Sequence, residues 1–382
     1  MNLYGAVLLM SQETTVDSQN LPLVIGVDLG GTQLRTAVLR GATLLSRVGL
    51  LTGENPTPDR IIPRIYNAIE QSLSEAHTTL DQIAGIGIGA PGPLDNRTGI
   101  VFAPPNMPGW DRVPLRDIFQ EHFKIPIFVE NDANAAGLGE YMFGAGRDCK
   151  DMVYLTVSTG IGGGVIINGQ IMEGASGTAA EIGHMTIDWR DGRCKCGNTG
   201  CLEYLASGTA IARMANEAIA AGQGAELLAF ARTMLEHTDA VPDKSALPTS
   251  GDMEDDDLGK DVESLGETVP LALHVNARTV ARAAEANIPV ARDIIARAAE
   301  ALGVGLVNII HIFNPEMIIL GGGVTQMGPM LMEPVMHVVQ ERAMKVPREA
   351  VRIMLAQLGT NVGLIGAGAL IYHYNLGSRF AV

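Results

Sequence analysis

The sequence predicts an α/β protein of two similar lobes facing a cleft, on three observations. Buried-strand runs alternate with helical periodicity along most of the 382 residues, the pattern of layered α/β domains with partly parallel sheets. A glycine-turn unit occurs twice: VIGVDLGGTQLRTAV (Val24–Val38) and VYLTVSTGIGGGVII (Val153–Ile167) share the order strand, polar residue, glycine turn, strand, with Gly30 and Gly160 130 residues apart. Glycine supplies 45 of the 382 residues, about 12% against a usual ~7%. Such an excess, without low complexity, serves tight turns of the kind that approach phosphates.

In chain order, the first strand is Leu21–Val27 (LPLVIGV), closed by the turn at Gly30–Gly31 and answered by a second strand over Leu34–Leu39. Short apolar runs bounded by turn residues follow at Ala84–Gly89, Ile125–Glu130, Met152–Val157, Gly164–Asn168 and Met317–Leu320. Apolar residues at helical spacing predict helices over Pro58–Ala76, Ala133–Phe143, Gly208–Ala220, Val290–Phe313 and Pro329–Met344. Gly222–Pro270 breaks the alternation. It opens with helix formers, turns polar and acidic around MEDDDLGKD, and reads as a solvated, partly disordered surface insertion.

Length and charge narrow the function classes. At ~100–200 residues per domain the chain holds two or three domains, and four cysteines cannot staple 382 residues. The net charge is −15; segment 222–270, with twelve acids and three bases, carries −9 of it. A chain this acidic, without a lysine–arginine stripe, suits neither a nucleic-acid backbone nor an anionic membrane. It contains no uninterrupted run of 18 apolar residues, so no bilayer span is expected. The apolar stretch Leu3–Met10 lacks a basic flank and a small-residue cleavage site, so a signal peptide is not expected. Residues 1–20 are expected as a flexible extension, with Met10 an alternative start and the cytoplasm the expected compartment.

Five segments carry chemistry. In Asp28-Leu-Gly-Gly-Thr32 a strand delivers a carboxylate to the sheet edge, and Gly30 and Gly31 bring N–H groups close to an anion. Thr32 adds a hydroxyl, Arg35 a charge, and Asp28 beside phosphates suits a hydrated Mg²⁺; an ordinary glycine hairpin is the alternative. Ser158-Thr-Gly-Ile-Gly-Gly-Gly164 is the matching turn of the second half, and Leu320-Gly-Gly-Gly-Val324 ends a strand flat enough to meet a base or ribose. Glu130-Asn-Asp-Ala133 follows the strand IPIFV. A carboxylate at this strand end can take a substrate proton, but local sequence favours the plainer role, Asn131 or Asp132 as N-cap of the following helix.

The fifth segment is the most specific. His184 precedes Cys194-Lys-Cys196-Gly-Asn-Thr-Gly-Cys201-Leu-Glu203, so three of the four cysteines lie within eight positions. One imidazole and three thiolates make a closed tetrahedral zinc set, and a disulfide is disfavoured in the cytoplasm. Glu181 and Glu203 flank the set, either simply solvated or held rigidly toward a polyol.

Together DLGGTQLR, GIGAPGPLDNRTG, VENDANAAGLGE, VSTGIGGGV, GTAAEIGH, CKCGNTGCLE and MIILGGGV resemble the ROK (repressor, open reading frame, kinase) family, and within it the bacterial glucokinases, from Leu23 to Ala369 apart from the acidic insertion. The resemblance implies a two-lobed α/β fold of the hexokinase, actin and Hsp70 type (ribonuclease H-like), with nucleotide and sugar in an interlobe cleft. It divides the chain into a smaller lobe, 21–130 plus 361–382, and a larger lobe, 131–360, that carries the zinc loop (181–203) and the acidic insertion (222–270). It implies transfer of phosphate from ATP, with Mg²⁺, to the glucose 6-hydroxyl; the alternatives are a related kinase of mannose, fructose or an N-acetylated amino sugar, and a sugar-sensing regulator without turnover. Asp28, Gly30, Gly31, Thr32, Thr159, Gly160, Gly162, Gly163 and Gly322 are implied ATP contacts. Asp132 is the implied base, able to cap the helix as well. Asn106, Asn131, Asp132, Glu181, His184 and Glu203 are implied sugar contacts, with His184, Cys194, Cys196 and Cys201 on structural zinc. A homodimer is implied. Two features depart from the pattern: the insertion is longer than in glucokinases of this group, and only 27 residues precede Asp28, too few for the winged helix-turn-helix of the family's repressors.

Overall fold

A hairpin seeds the first sheet. β1 (Leu23–Leu29) returns as β2 (Gln33–Arg40), paired antiparallel from Val24↔Leu39 to Leu29↔Leu34, and both β3 (Thr43–Leu44) and β4 (Val48–Leu51) pair with β2. Helix α1 (Pro58–Glu75) buries Ile61, Ile65, Ala68 and Ile69 and leads to β5 (Ile83–Ala90), parallel to β1. A ribbon of β6 (Leu94–Asp95), β7 (Ile100–Val101) and β8 (Val113–Pro114) precedes α2 (Leu115–Phe123), and β9 (Ile127–Asn131) then lies parallel to β5. The computed structural model describes residues 20–53, 55–105, 107–190, 192–238 and 275–375.

The second sheet repeats the first. After α3 (Asp132–Phe143), β10 (Met152–Val157) and β11 (Ile161–Ile167) form a hairpin, with β12 (Gln170–Ile171) on its outer edge. Among the described residues five helices follow: α4 (Leu202–Ala206), α5 (Gly208–Ala220), α6 (Ala225–Thr238), α7 (Ala277–Glu285) and α8 (Pro289–Phe313). β13 (Met317–Gly321) then lies parallel to β10; α9 (Pro329–Arg342) and α10 (Lys345–Ala350) lead to β14 (Arg352–Leu355), parallel to β13, and α11 (Val362–Leu370) follows. The orders β2-β1-β5-β9 and β11-β10-β13-β14 are the same. The sequence echo is therefore an echo of topology, and the two glycine turns fall at equivalent places.

Two helices exchange sheets. α3 continues from β9 but packs on β10 and β11, while α11 follows β14 but packs on β1 and β5, and the two helices press against each other. Glycines make this approach possible. A Cβ at Gly87 would overlap the Ala367 carbonyl oxygen, and one at Gly366 the Ala135 carbonyl oxygen. α11 was not expected from periodicity because VGLIGAGAL is apolar on every face, which fits a helix buried on all sides.

The strands and helices expected from the sequence fall within a few residues of their bounds, with three corrections, while the short strands β3, β4, β6, β7, β8, β12 and β14 and the helices α2, α4, α7 and α10 were not expected. β11 starts at Ile161, not Gly164: Gly162 and Gly164 lie in the strand, under Ala133 and Asn134 of α3. The start of the supposed insertion is core, since α6 buries Leu227 and Ala231 among the helices of the second sheet. Residues 239–274, the extension 1–19 and Asn106 lie outside the described residues. Third, α8 is long and apolar enough to cross a membrane by length and composition; two-thirds of its most apolar window is buried in the protein, which makes it a core helix.

A candidate active site between two glycine turns

The first turn is held from outside. Thr52 donates its N–H to Thr32 O at 2.6 Å and its hydroxyl to Gly30 O at 3.0 Å, while Gly30 N–H closes the turn on Gln33 O. The N–H groups of Gly31 and Thr32 make no protein hydrogen bond among the described residues. Nothing in the local sequence pointed to Thr52, which is buried and 20 residues downstream of Thr32.

The second turn is held in the same manner. Gly208 N–H donates to Ser158 O at 2.7 Å, Thr209 Oγ1 donates to Thr159 O at 2.9 Å, and Ile161 N–H donates to Glu203 Oε2 at 2.8 Å. Here the N–H groups of Thr159 and Gly160 are the ones without a protein acceptor among the described residues. Two turns thus present paired, unspent N–H groups, an arrangement suited to anionic oxygens. Gly162 and Gly163 have a different reason to be glycine: side chains there would press on Ala133 and Ile182. At the end of β13, Gly322 (φ +90°) packs against the Val157 carbonyl, and Gly323 of the same segment faces open space.

Asp132 lies between the turns. Asn131, not Asp132, caps α3, its Oδ1 accepting Ala133 N–H at 3.0 Å and Asn134 N–H at 3.3 Å. Asp132 is the first helical residue, so the dual cap-and-base role is corrected: its Oδ1 accepts Ala133 N–H at 2.8 Å, while the capping of α3 falls to Asn131. Asp132 is exposed on one side, yet protein crowds it on the others. That desolvation, followed by the negative charge of Asp28, pushes its pKa up to about 7.

Beneath it sits a residue the sequence reading left without a role. Glu130 is fully buried; it accepts Asn131 N–H at 2.9 Å, Asn134 Nδ2 at 3.0 Å and Asn96 Nδ2 at 2.8 Å. Burial raises its pKa, and the three donors counter it. Glu130 therefore ties the start of α3 to the turn after β6.

The cysteine–histidine loop forms the opposite wall. The ligand atoms of His184, Cys194, Cys196 and Cys201 lie within 4.8 Å of one another, and all the thiols are free. Cys196 Sγ and Cys201 Sγ are 3.7 Å apart, as are Cys194 Sγ and His184 Nδ1. A tetrahedral ion with Zn–S bonds of ~2.3 Å sets its sulfurs about 3.8 Å apart, so the set fits zinc. Gly200 (φ +66°) makes the return, where a Cβ would overlap Asp188 O. With Nδ1 among the thiols, His184 turns Nε2 toward Glu181, 4.0 Å from Oε2. Burial first, and the Glu203 charge against the opposing effect of His184, raise the Glu181 pKa. Glu181 and Asn131 converge: a Cβ on Gly92 would lie 3.1 Å from Asn131 Nδ2 and 3.9 Å from Glu181 Oε1.

The fold thus brings together Asp28, Gly30, Gly31 and Thr32, Thr159 and Gly160, Asn131 and Asp132, and the wall of Glu181, His184 and Glu203. Trp110 of the neighbouring segment is core, its Nε1 donating to Pro56 O at 2.7 Å.

Known proteins resemble this chain along most of its length. The ROK family profile matches residues 24–250 and 259–373, so the acidic segment interrupts the match only over 251–258. A glucokinase of Halalkalibacterium halodurans is 34% identical over 91% of this chain and 94% of its own. A putative xylose repressor of a Caldicellulosiruptor species is 30% identical over 93% of this chain and 79% of its own. The crystal structure of a Streptomyces griseus ROK glucokinase with glucose and AMPPNP superposes with a TM-score of 0.70 at 31% identity, over 91% of this chain and 98% of that one.

Proposed function

The chain belongs to the ROK family, and from that premise we propose that it is a cytoplasmic kinase that turns ATP and D-glucose into ADP and glucose 6-phosphate. One observation carries the reading: an uncapped carboxylate, Asp132, stands between two turns whose N–H groups are unspent. In this reading the lobes are 21–130 with 361–382 and 131–360. The backbone N–H groups of Gly31, Thr32, Thr159 and Gly160 hold the phosphates. Asp132 takes the proton of the sugar 6-hydroxyl as its oxygen attacks the γ-phosphorus and ADP leaves. Its raised pKa keeps it basic enough for that work near neutrality.

Asn131 Nδ2, Glu181, His184 Nε2 and the free oxygen of Glu203 orient the sugar hydroxyls. Zinc on His184, Cys194, Cys196 and Cys201 supplies no reaction chemistry; it fixes the imidazole's orientation and tautomer. Asp28 has Oδ2 engaged by Arg35, which leaves Oδ1 as the atom that would hold a hydrated Mg²⁺, whose charge would offset that of the phosphates.

A second reading, a sensor that binds sugar without turnover, is favoured by the match to a xylose repressor. A coupled assay over a panel of hexoses and pentoses with ATP, using wild type and Asp132→Asn, separates the two. Turnover fastest with glucose and lost in the variant supports the kinase; sugar binding without ADP release overturns it.

A further inference from the structure

Glu203 faces the nucleotide side as well as the sugar side. Its Oε2 accepts the Ile161 N–H at 2.8 Å, and Gly160 leaves room for it, because a Cβ there would overlap that oxygen. The same stretch grips the turn twice more, through Gly208 N–H on Ser158 O and Thr209 on Thr159 O. Glu203 itself rides on α4, whose N-cap is Cys201, a member of the cysteine–histidine set.

We propose that Glu203 is a positioning residue for the Ser158–Ile161 turn, joining the metal-binding loop and the phosphate-binding turn into one rigid unit. The physical reason is economy of donors. Ile161 N–H is spent on Glu203 and is not a phosphate donor; the bond instead fixes the turn so that Thr159 and Gly160 N–H point at the cleft. A hydrogen bond to a charged acceptor is worth enough that losing it should cost about tenfold in affinity for whatever the turn binds. The proposal rests on the kinase reading above, since it supposes that the turn holds nucleotide phosphates.

The test is AMPPNP binding by calorimetry without sugar, on wild type, Glu203→Ala and Glu203→Gln. The alanine variant should bind about tenfold more weakly. The glutamine variant, whose amide oxygen still accepts Ile161 N–H, should stay within about threefold of wild type while its glucose KM rises. Amide exchange adds a readout that a general loss of stability would not localise: Ile161 N–H should exchange faster in the alanine variant and remain protected in the glutamine one. Equal AMPPNP affinity in wild type and Glu203→Ala overturns the proposal, as does a glutamine variant no better than alanine. Wild type that turns over sugar and ATP, yet shows the alanine effect only on glucose KM, overturns it and leaves the kinase reading intact. Wild type that binds no AMPPNP at all overturns both.

Discussion

Arg35 faces Asp28 across one rung of the first hairpin and donates Nη2 to its Oδ2 at 2.6 Å. The other arm of the guanidinium reaches Thr360 O at 3.0 Å, just ahead of α11. Asp28 is thereby fixed at the sheet edge, where its charge is the second cause of the raised Asp132 pKa. The pair links the first glycine turn, the exchanged helix α11 and Asp132.

Asp132→Asn should lower kcat by about 10²–10⁴-fold, the usual cost of losing a general base, while the glucose dissociation constant stays within tenfold. Amide for carboxylate keeps shape and cannot take the proton. Steady-state kinetics paired with calorimetry checks this, and near wild-type turnover would remove Asp132 from catalysis.

The pH dependence has a definite sign. Asp132 works only when ionised, so kcat/KM for glucose should fall as pH drops through about 7. Asp28→Asn removes a negative neighbour and should move this acid limb to lower pH, whatever it does to the plateau. An unmoved or upward-shifted limb contradicts the assignment.

Stability should follow the same group with opposite benefit. A carboxyl raised from 3.8 to about 7 binds its proton more tightly in the folded state, so its ionisation destabilises the fold progressively as pH rises through that window. Asp132→Asn should therefore unfold at a higher Tm than wild type at pH 8, with the difference shrinking toward pH 4. Scanning calorimetry at the two pH values reads it directly.

Purified protein should contain about one zinc per chain, resistant to mild chelators because the set is closed. Cys196→Ser should lose the metal and raise KM for glucose, since His184 and Glu181 lose their frame, and for ATP, through Glu203 and Ile161. Elemental analysis and the two KM values test this; metal-free wild type of full activity would refute it.

Gly87→Ala tests the sheet exchange. The added methyl meets the Ala367 backbone rather than a flexible side chain, so α11 must move, at a cost of about 3 kcal/mol or more. Gly323→Ala, in open space, should leave stability within about 0.5 kcal/mol. Urea denaturation of the two variants gives the comparison.

The sequence by itself determined the α/β class, the duplicated hairpins and the cysteine–histidine cluster, because each is written in local spacing: short apolar runs, glycine turns, ligands within 18 positions. Motif spelling also named Asp132, Glu181 and Glu203. What it left open was decided by groups distant in the chain. Asn131 takes the cap and frees Asp132 because α3 must start where Ala133 meets Gly162 of the other sheet. Glu203 turns to Ile161, 42 residues away, and Thr52 locks a turn it does not adjoin. α11 shows no period because the first sheet and α3 bury it, a helix whose place is set by packing rather than by its own pattern. Local spacing fixes which groups are available; only tertiary packing decides which of their hydrogen bonds are already spent.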